Sequence, residues 1–154
     1  MVVKTKGIVL SETNYGETSK ILNILTNDYG LIGVISKGCR NIKSKIRGVS
    51  QKMSLAEFTI SYKEKGLSTL TEGSIINPLM NIYKDITKAN YSFYLIDIVY
   101  QVLGENNNKE LFSLLSNALI KINEGLEPML ISNILEYKLL KYLGVSLNIY
   151  ECSL

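Results

Sequence analysis

The sequence contains no histidine and no tryptophan among its 154 residues. Without histidine, neither a Ser-His nor a Cys-His nucleophilic pair can be assembled, and acid–base chemistry would depend on carboxylates, lysine or tyrosine. The acidic residues are scattered singly, and there is neither a Walker-type glycine loop nor a dinucleotide-binding glycine fingerprint. We therefore predict no catalytic residues and no cofactor, and we expect that the protein is not an enzyme.

Cysteine is almost as scarce. Cys39 and Cys152 lie far apart in the sequence, and neither belongs to a C-x-x-C pair. This spacing indicates neither a disulfide framework nor a complete metal site. No metal ligands are predicted.

Long apolar runs are also missing. The N-terminus carries Lys4 and Lys6 where a secretory signal needs an unbroken apolar core. The longest apolar stretch, residues 91–103, is interrupted by Asp97 and Gln101, and it is shorter than the about 20 residues that span a bilayer. We expect a cytoplasmic protein with no membrane segment.

Basic residues are concentrated in the first half of the chain. Residues 1–80 contain eleven basic and six acidic side chains, whereas residues 81–154 contain six basic and eight acidic ones. No carboxylate occurs between Asp28 and Glu57. Six cations fall within that interval: Lys37, Arg40, Lys43, Lys45, Arg47 and Lys52.

This basic interval has two interpretations. Several cations on one exposed loop raise the local potential, and neutralising phosphates releases condensed counterions, which drives nucleic-acid binding irrespective of sequence. The other interpretation is a solvated lysine-rich loop, and charge alone leaves it open. The complete lack of carboxylates favours nucleic acid.

The spacing of apolar residues predicts strands before about residue 77. In the clearest run, Phe58, Ile60 and Tyr62 alternate with polar residues, as in a sheet with one buried face. Turn residues separate the runs. The five predicted strands are residues 2–11, 20–26, 31–37, 54–62 and 67–76.

After Asn77 and Pro78, spacings of three and four predict helices. The first is predicted to end near Gly104, with these residues on one side: Ile82, Ile86, Ala89, Phe93, Ile96, Tyr100 and Leu103. The second is predicted to start at a capping box of Asn107 and Glu110 and to bury Leu111, Leu115, Ala118 and Ile122. The third is predicted to run from Pro128 to Gly144 and to bury Ile131, Leu135, Leu139 and Tyr142.

Together these elements predict an α+β fold. A five-stranded OB-fold β-barrel is expected over residues 1–78, followed by an α-helical bundle domain over residues 79–154. Other small barrels fit the same number of strands. Tyr15 and Tyr29 lie in predicted turns and are better candidates for stacking on bases than Phe58 and Tyr62, but no stacking site is assigned.

Several segments closely resemble the RecO family of recombination mediators. In the first half they are KGIVL at residues 6–10, NYGETSKIL at 14–22, LTNDYGLI at 25–32 and KGCRNIKS at 37–44. Further similarity lies in KGLSTLTE at residues 65–72, ELFSLL at 110–115 and the Leu143-Gly144 pair. The resemblance spans the whole chain, and the order and spacing of the segments make it specific.

The resemblance implies a function. Members of the family bind single- and double-stranded DNA, anneal complementary strands, and work with RecR to load RecA onto DNA coated by single-strand-binding protein. For this chain it implies a non-enzymatic mediator of bacterial DNA repair and recombination, with those partners and a nucleoid-associated location. It also implies that the first domain is a nucleic-acid-binding OB-fold, and that the six cations between Asp28 and Glu57 contact the DNA.

The chain departs from the family pattern near its C-terminus. RecO-like proteins are usually longer, and many carry a four-cysteine zinc knuckle after the third helix. Cys152 resembles the first cysteine of that knuckle, but one thiolate cannot hold a structural zinc. We expect an incomplete helical domain without a metal.

Two other functions stay open. The chain could be an interaction scaffold that docks RecR or single-strand-binding protein, with DNA contact located elsewhere. It could also be an RNA-binding OB-fold protein. Partner binding without DNA binding would favour the scaffold. A comparison of RNA affinity with DNA affinity would distinguish the RNA-binding protein.

Overall fold

The computed structural model describes residues 1–103 and 108–143 of the chain. Five strands come first: β1 (Val2–Tyr15), β2 (Ser19–Thr26), β3 (Gly30–Ser36), β4 (Leu55–Ser61) and β5 (Ser68–Asn77). The helices follow: α1 (Met80–Tyr83), α2 (Ile86–Val102), α3 (Asn108–Asn123) and α4 (Pro128–Leu143). The described chain therefore has the predicted order of strands followed by helices.

The strands close into a barrel in the order β1-β2-β3-β5-β4. Every neighbouring pair is antiparallel except β3 and β5, which are parallel. This confirms the α+β class and the five-stranded OB-type barrel at the N-terminus, with the helical part after it. Closure pairs all five strands, so the barrel has no open sheet edge.

β1 is longer than predicted because it pairs with a different neighbouring strand along each half of its length. Its first half pairs with β4, from Val2 opposite Ser61, and its second half pairs with β2 as far as Tyr15 opposite Ser19. The register shifts between Val9 and Ser11, which marks a bulge where the strand changes partner. The predicted end at Ser11 is therefore wrong, since pairing with β2 continues to the turn.

The barrel interior is filled by residues that alternate along the strands. In β4, Phe58 and Ile60 are completely buried, as the period-two pattern predicted. Tyr62 follows the end of β4 and is half-buried against the same core. Other members of this core are Val9, Leu22, Ile24, Val34 and Leu70.

The predicted first helix is wrong as a single element. It is divided into α1 and α2, because Asp85 adopts an extended conformation and caps α2 with its carboxylate. The Oδ1 atom of Asp85 accepts hydrogen bonds from the backbone N–H groups of Thr87 (2.9 Å) and Lys88 (3.2 Å). A capping carboxylate of this kind starts a new helix where the spacing of apolar residues suggested continuity.

The buried side of α2 also differs from the predicted side. Ile96 of the predicted side is buried, but Ile86 is 78% exposed and Tyr100 is 39% exposed. Leu95 and Val99, outside that side, are buried. From residue 91 onward the helix is apolar on most of its circumference, so the sequence pattern does not select one face. Within this helical part, α2 packs against α4.

The predicted buried faces of α3 and α4 are largely confirmed. Leu111, Leu115, Ala118 and Ile122 are all buried, as are Ile131, Leu135 and Leu139. Tyr142 is only half-buried. Asn107 of the predicted capping box and the predicted helix ends at Gly104 and Gly144 lie outside the described residues.

The chain forms two compact units. One comprises Met1–Pro78 together with the first residues of α3, and the other comprises the rest of the helical residues. In the second unit, the side chain of Asn123 accepts a hydrogen bond from the Asn81 backbone N–H at 2.9 Å, which ties α1 to the end of α3. No helix among the described residues is both long and apolar enough to cross a bilayer.

Candidate nucleic-acid interface

The segment that joins β3 to β4, residues 37–54, is called the connector here. β3 and β4 are not neighbours in the barrel, since β5 lies between them on one side and β1 and β2 on the other. The connector therefore has to cross from one side of the barrel to the other. It carries all six cations that the sequence analysis singled out.

The connector is a series of tight turns. The backbone N–H groups of Asn41, Ser44, Arg47 and Ser50 each donate to the carbonyl three residues earlier, at 3.0–3.4 Å. Gly38, with φ of 68°, supplies the left-handed conformation that begins the series. A chain of such turns holds polar side chains at the surface without a long helix.

Backbone hydrogen bonds attach both ends of the connector to the barrel. The Arg40 N–H donates to the Thr18 carbonyl at 2.9 Å, and the Met53 N–H donates to the Val9 carbonyl at 2.8 Å. The connector is thus fixed to the turn between β1 and β2 and to the middle of β1.

Buried side chains anchor the connector from beneath. Cys39, Ile46, Val49 and Met53 are all less than 9% exposed. Cys39 is a free thiol that packs as a small apolar residue in the barrel core. These anchors leave the intervening cations at the surface.

A buried hydroxyl pair completes the attachment. The hydroxyls of Ser36 and Ser50 lie 2.7 Å apart, and the Ser50 hydroxyl donates to the Ile46 carbonyl at 2.7 Å. Because both serines are completely buried, this chain of hydrogen bonds satisfies groups that water cannot reach. The loop is therefore held by packing and by hydrogen bonds, as a rigid binding surface needs.

The six predicted cations all lie on the connector. Lys37, Arg40, Lys43, Lys45 and Arg47 are exposed, and Lys52 is half-buried. Arg40 and Arg47 line a common cavity, which has a volume of about 310 Å³. The remaining four do not contribute to that cavity.

Lys20, on β2, lines the same cavity and was missed by the sequence analysis. Its Nζ atom lies 2.9 Å from Glu12 Oε1 and donates to the Ser50 carbonyl at 3.3 Å. The other oxygen of Glu12 accepts from the backbone N–H of Lys52. In the hairpin of β1 and β2, Lys20 pairs with Asn14, which also lines the cavity.

The cavity is suited to an anion. Lys20, Arg40 and Arg47 supply three positive charges against the single carboxylate of Glu12. The amides of Asn14 and Gln51 also line it and can donate hydrogen bonds. Guanidinium groups form paired hydrogen bonds to phosphate oxygens, so this set of donors matches a phosphodiester and reads no base.

Among the described residues, no three histidine, cysteine or acidic side chains come together in a way that could hold a metal ion. Cys152, the candidate first cysteine of a zinc knuckle, lies outside those residues. The connector cavity is thus lined by cations, by the amides of Asn14 and Gln51, and by the carboxylate of Glu12.

Comparison with known proteins relates both parts of the chain to one family. Residues 1–79 match the family model described as recombination protein O N terminal. Residues 83–154 match the model described as recombination protein O C terminal.

Curated relatives agree with the family models. The chain is 40% identical over 152 residues to the DNA repair protein RecO of Caldicellulosiruptor bescii, covering 98% of this chain and 62% of that protein. It is 34% identical to the protein of the same name from Bacillus pumilus, covering 99% of this chain and 59% of the relative. It is 33% identical to the protein of the same name from Bacillus subtilis, covering 99% of this chain and 60% of the relative. The chain thus spans about three fifths of the length of the curated relatives it matches.

Proposed function

Because this chain belongs to the recombination protein O family, we propose that it is a DNA-binding mediator of bacterial DNA repair and recombination that catalyses no reaction. The relatives are named as DNA repair proteins, which supports repair as the process. The proposal extends to residues 1–78 as the nucleic-acid-binding OB-fold domain and residues 79–154 as the helical domain.

One observation carries the DNA-binding part of this proposal. The connector is fixed to the barrel at both ends, contains no carboxylate, and carries Lys37, Lys43 and Lys45 exposed as well as Arg40 and Arg47, which line the cavity. Cations attract phosphates, and a fixed backbone loses little conformational freedom on binding. Lys52 belongs to the same proposed contact through its position on the connector.

The proposed partners follow from family membership. They are single- and double-stranded DNA, RecR and single-strand-binding protein, with RecA as an indirect partner. The proposed location is the cytoplasm, associated with the nucleoid. Contacts with the phosphate backbone support affinity for any DNA sequence, which annealing and mediator activities require.

The test is fluorescence anisotropy with labelled single-stranded DNA. Reversing four connector charges, in Arg40→Glu, Lys43→Glu, Lys45→Glu and Arg47→Glu together, is expected to lower affinity at least about a hundredfold, and equally for different sequences. This magnitude corresponds to the loss of four phosphate contacts. A hydrogen bond to a charged group contributes about 1.5–3 kcal/mol when it is buried, and a contact at the surface contributes less.

A matched variant controls for net charge. Lys65→Glu, Lys84→Glu, Lys121→Glu and Lys138→Glu together change the net charge by the same amount, at four exposed positions outside the connector. Equal loss of affinity in both variants would contradict the assignment of the connector as the binding surface. A labelled RNA strand of the same sequence, measured in parallel, separates the DNA-binding function from an RNA-binding one.

A scaffold function is the second candidate, and α4 gives it some support. Leu130, Ile134 and Tyr137 lie one turn apart along this helix and are 55%, 44% and 71% exposed. Exposed apolar side chains in a row favour contact with another protein. Capture of RecR by the four-charge connector variant, with no DNA binding by the unaltered chain, would favour the scaffold.

A further inference from the structure

The barrel unit contains a second cavity, which shares no lining residue with the cavity on the connector. Its volume is about 530 Å³. It is formed by the turn between β2 and β3, the residue that follows β4, and the first residues of α3, all within the first compact unit. The side chains that matter for its chemistry are Asn27, Asp28, Tyr29, Tyr62, Asn108 and Lys109.

Two tyrosines form an aromatic wall of this cavity. The ring centroids of Tyr29 and Tyr62 lie 5.0 Å apart, with an angle of 41° between the ring planes. Both rings are half-buried and pack on the barrel core, which holds them in place. A planar ligand can extend this aromatic pair by stacking, at little entropic cost to the protein.

Asp28 supplies an acceptor whose position is fixed. Its Oδ2 accepts from the Thr5 hydroxyl at 3.1 Å, and its Oδ1 accepts from the Asn27 amide at 3.2 Å. A carboxylate has about four acceptor positions, so two remain for a ligand. The turn itself is held by Thr26, whose hydroxyl accepts from the Tyr29 N–H at 2.9 Å and donates to the Gly30 carbonyl at 2.7 Å.

Asn108 packs against the turn on the other side of the cavity. Its Oδ1 atom is buried and accepts no hydrogen bond from any residue that the structure describes. Its amide packs against Gly30, where an added Cβ would lie 2.7 Å from Asn108 Nδ2. A buried acceptor without a donor destabilises the fold.

Lys109 adds a cation to the same cavity. The cavity therefore combines an aromatic wall, the carboxylate of Asp28 and one positive charge. An arginine side chain from a partner protein would match the rings and Asp28, but Lys109 would repel it. A nucleotide matches all three features, because its base is planar, its edge can donate N–H groups and its phosphate is negative.

We propose that this cavity binds an unpaired guanine nucleotide. Guanine carries adjacent donors, the N1–H and the N2 amino group, which pair with a carboxylate in the manner of a bidentate contact. In the proposed complex the base stacks on the Tyr29–Tyr62 pair, Asp28 accepts from N1 and N2, and Lys109 contacts the phosphate. The inference rests on the proposed DNA-binding function for the source of that nucleotide, and it adds a base preference to a connector that reads none.

The probe for the test is dGMP, titrated into the full chain and followed by saturation-transfer NMR, with dIMP and dTMP as comparison ligands. dIMP lacks only the N2 amino group. We expect dGMP to bind about tenfold more tightly than dIMP, the effect of about one hydrogen bond to a charged group, and dTMP to bind most weakly. Asp28→Asn should abolish the preference for dGMP over dIMP, since the amide offers only one acceptor oxygen.

Glu64→Gln is the matched control, because Glu64 is an exposed carboxylate in the turn between β4 and β5 and does not line the cavity. Asp28 is itself exposed, so its replacement should leave the fold intact, which far-ultraviolet circular dichroism checks. Equal affinities for dGMP, dIMP and dTMP would overturn the proposal, and so would an equal effect of the two substitutions. Tighter binding of N-acetylarginine amide than of dGMP would indicate a protein ligand instead.

A thymidine oligonucleotide separates this proposal from the proposed function. Binding of that strand without any dGMP preference would refute the guanine cavity and leave the DNA-binding function standing. A dGMP preference without binding of the strand would refute the DNA-binding function and leave the nucleotide cavity standing.

Discussion

Individual polar side chains determine how the connector and the helices are attached. Arg40 is an example, because its backbone N–H and its guanidinium both reach the turn between β1 and β2, to the carbonyls of Thr18 and Gly16 at 2.9 and 3.3 Å. The same guanidinium lines the connector cavity. One residue thus fixes the loop and supplies charge, so replacing Arg40 affects both attachment and anion binding.

Asp85 determines where α2 begins. Its carboxylate satisfies two backbone N–H groups that have no partner within the helix. Asp85→Ala is expected to lower the free energy of unfolding by about 1 kcal/mol, the usual effect of losing an N-cap. Urea denaturation followed by circular dichroism measures the change, and Asp85→Asn, which keeps the acceptor, should recover most of it. An unchanged midpoint for the alanine variant would show that the cap contributes nothing.

Tyr94 has an altered acid–base equilibrium. A hydrogen bond to Glu136, with smaller effects from burial and from the negative charge of that carboxylate, raises the pKa of Tyr94 above its ordinary value of 10.0. Because the folded state holds the proton more tightly, this contribution to stability is complete below pH 10 and is lost as the pH rises through the raised pKa.

Glu136→Gln is expected to lower the pKa of Tyr94 partway toward its ordinary value, since the amide accepts a weaker hydrogen bond than the carboxylate and has no charge to oppose the phenolate. Titration of the Tyr94 ring resonances by NMR, assigned by difference with Tyr94→Phe, measures the shift. Glu124→Gln provides the control, as Glu124 is an exposed carboxylate beyond the end of α3. A titration midpoint that stays the same in Glu136→Gln would rule out the carboxylate of Glu136 as the cause.

At the scale of elements, the connector depends on a close contact with β5. A Cβ added to Gly73 would lie 2.5 Å from Val49 Cγ2, so the bare backbone of β5 leaves room for the Val49 side chain. Val49 is 3% exposed and belongs to the barrel core. Glycine at position 73 therefore lets the connector lie directly on the sheet.

Gly73→Ala is expected to destabilise the barrel by about 1–3 kcal/mol, because the new methyl group overpacks this contact. Val49→Ala alone also destabilises, through the loss of buried methyl groups. In the double variant the smaller alanine at position 49 relieves the clash, so the combined loss should be smaller than the sum of the two. Additive losses in urea denaturation would contradict the contact.

Strands were easier to predict than helix boundaries, for a physical reason. In β4 a buried face alternates with an exposed one, and Gly30 and Gly66 have the positive φ values that tight turns need, so sequence and structure agree closely. Along α2 the apolar residues surround most of the helix, and burial is decided by which neighbour packs against it. The start of α2 at Asp85 could have been predicted locally, because an aspartate two or three residues before Thr87 and Lys88 can cap a helix. The continuous spacing of apolar residues across this position led to the prediction of a single helix instead.

The candidate site was predictable in part. The absence of carboxylates from residues 29–56 identified the connector and its six cations. Which of them share a cavity depends on contacts between distant residues, such as Lys20 with the Ser50 carbonyl across 30 positions. Glu12, which holds Lys20 and the connector backbone, has no local signature at all.

At the scale of the whole molecule, charge separates the two halves of the chain. The basic excess lies in the barrel half and the slight acidic excess in the helical half. Attraction to DNA should therefore act mainly on the barrel half. At 0.1 M salt, exposed charges more than about 10 Å apart are largely screened, so the acidic residues of the other half have little effect there. The helical half, with its exposed apolar residues on α4, is better suited to protein contact than to DNA.

The central claim is that the connector binds the phosphate backbone through its cations, and the salt dependence of single-stranded DNA affinity tests it most directly. The logarithm of the affinity should fall linearly with the logarithm of the salt concentration, with a slope of about −0.7 for each phosphate neutralised. Arg40→Gln with Arg47→Gln should make that slope shallower by about 1.4, whereas Lys84→Gln with Lys121→Gln should leave it unchanged. An affinity independent of salt, or the same slope in both variants, would contradict the account.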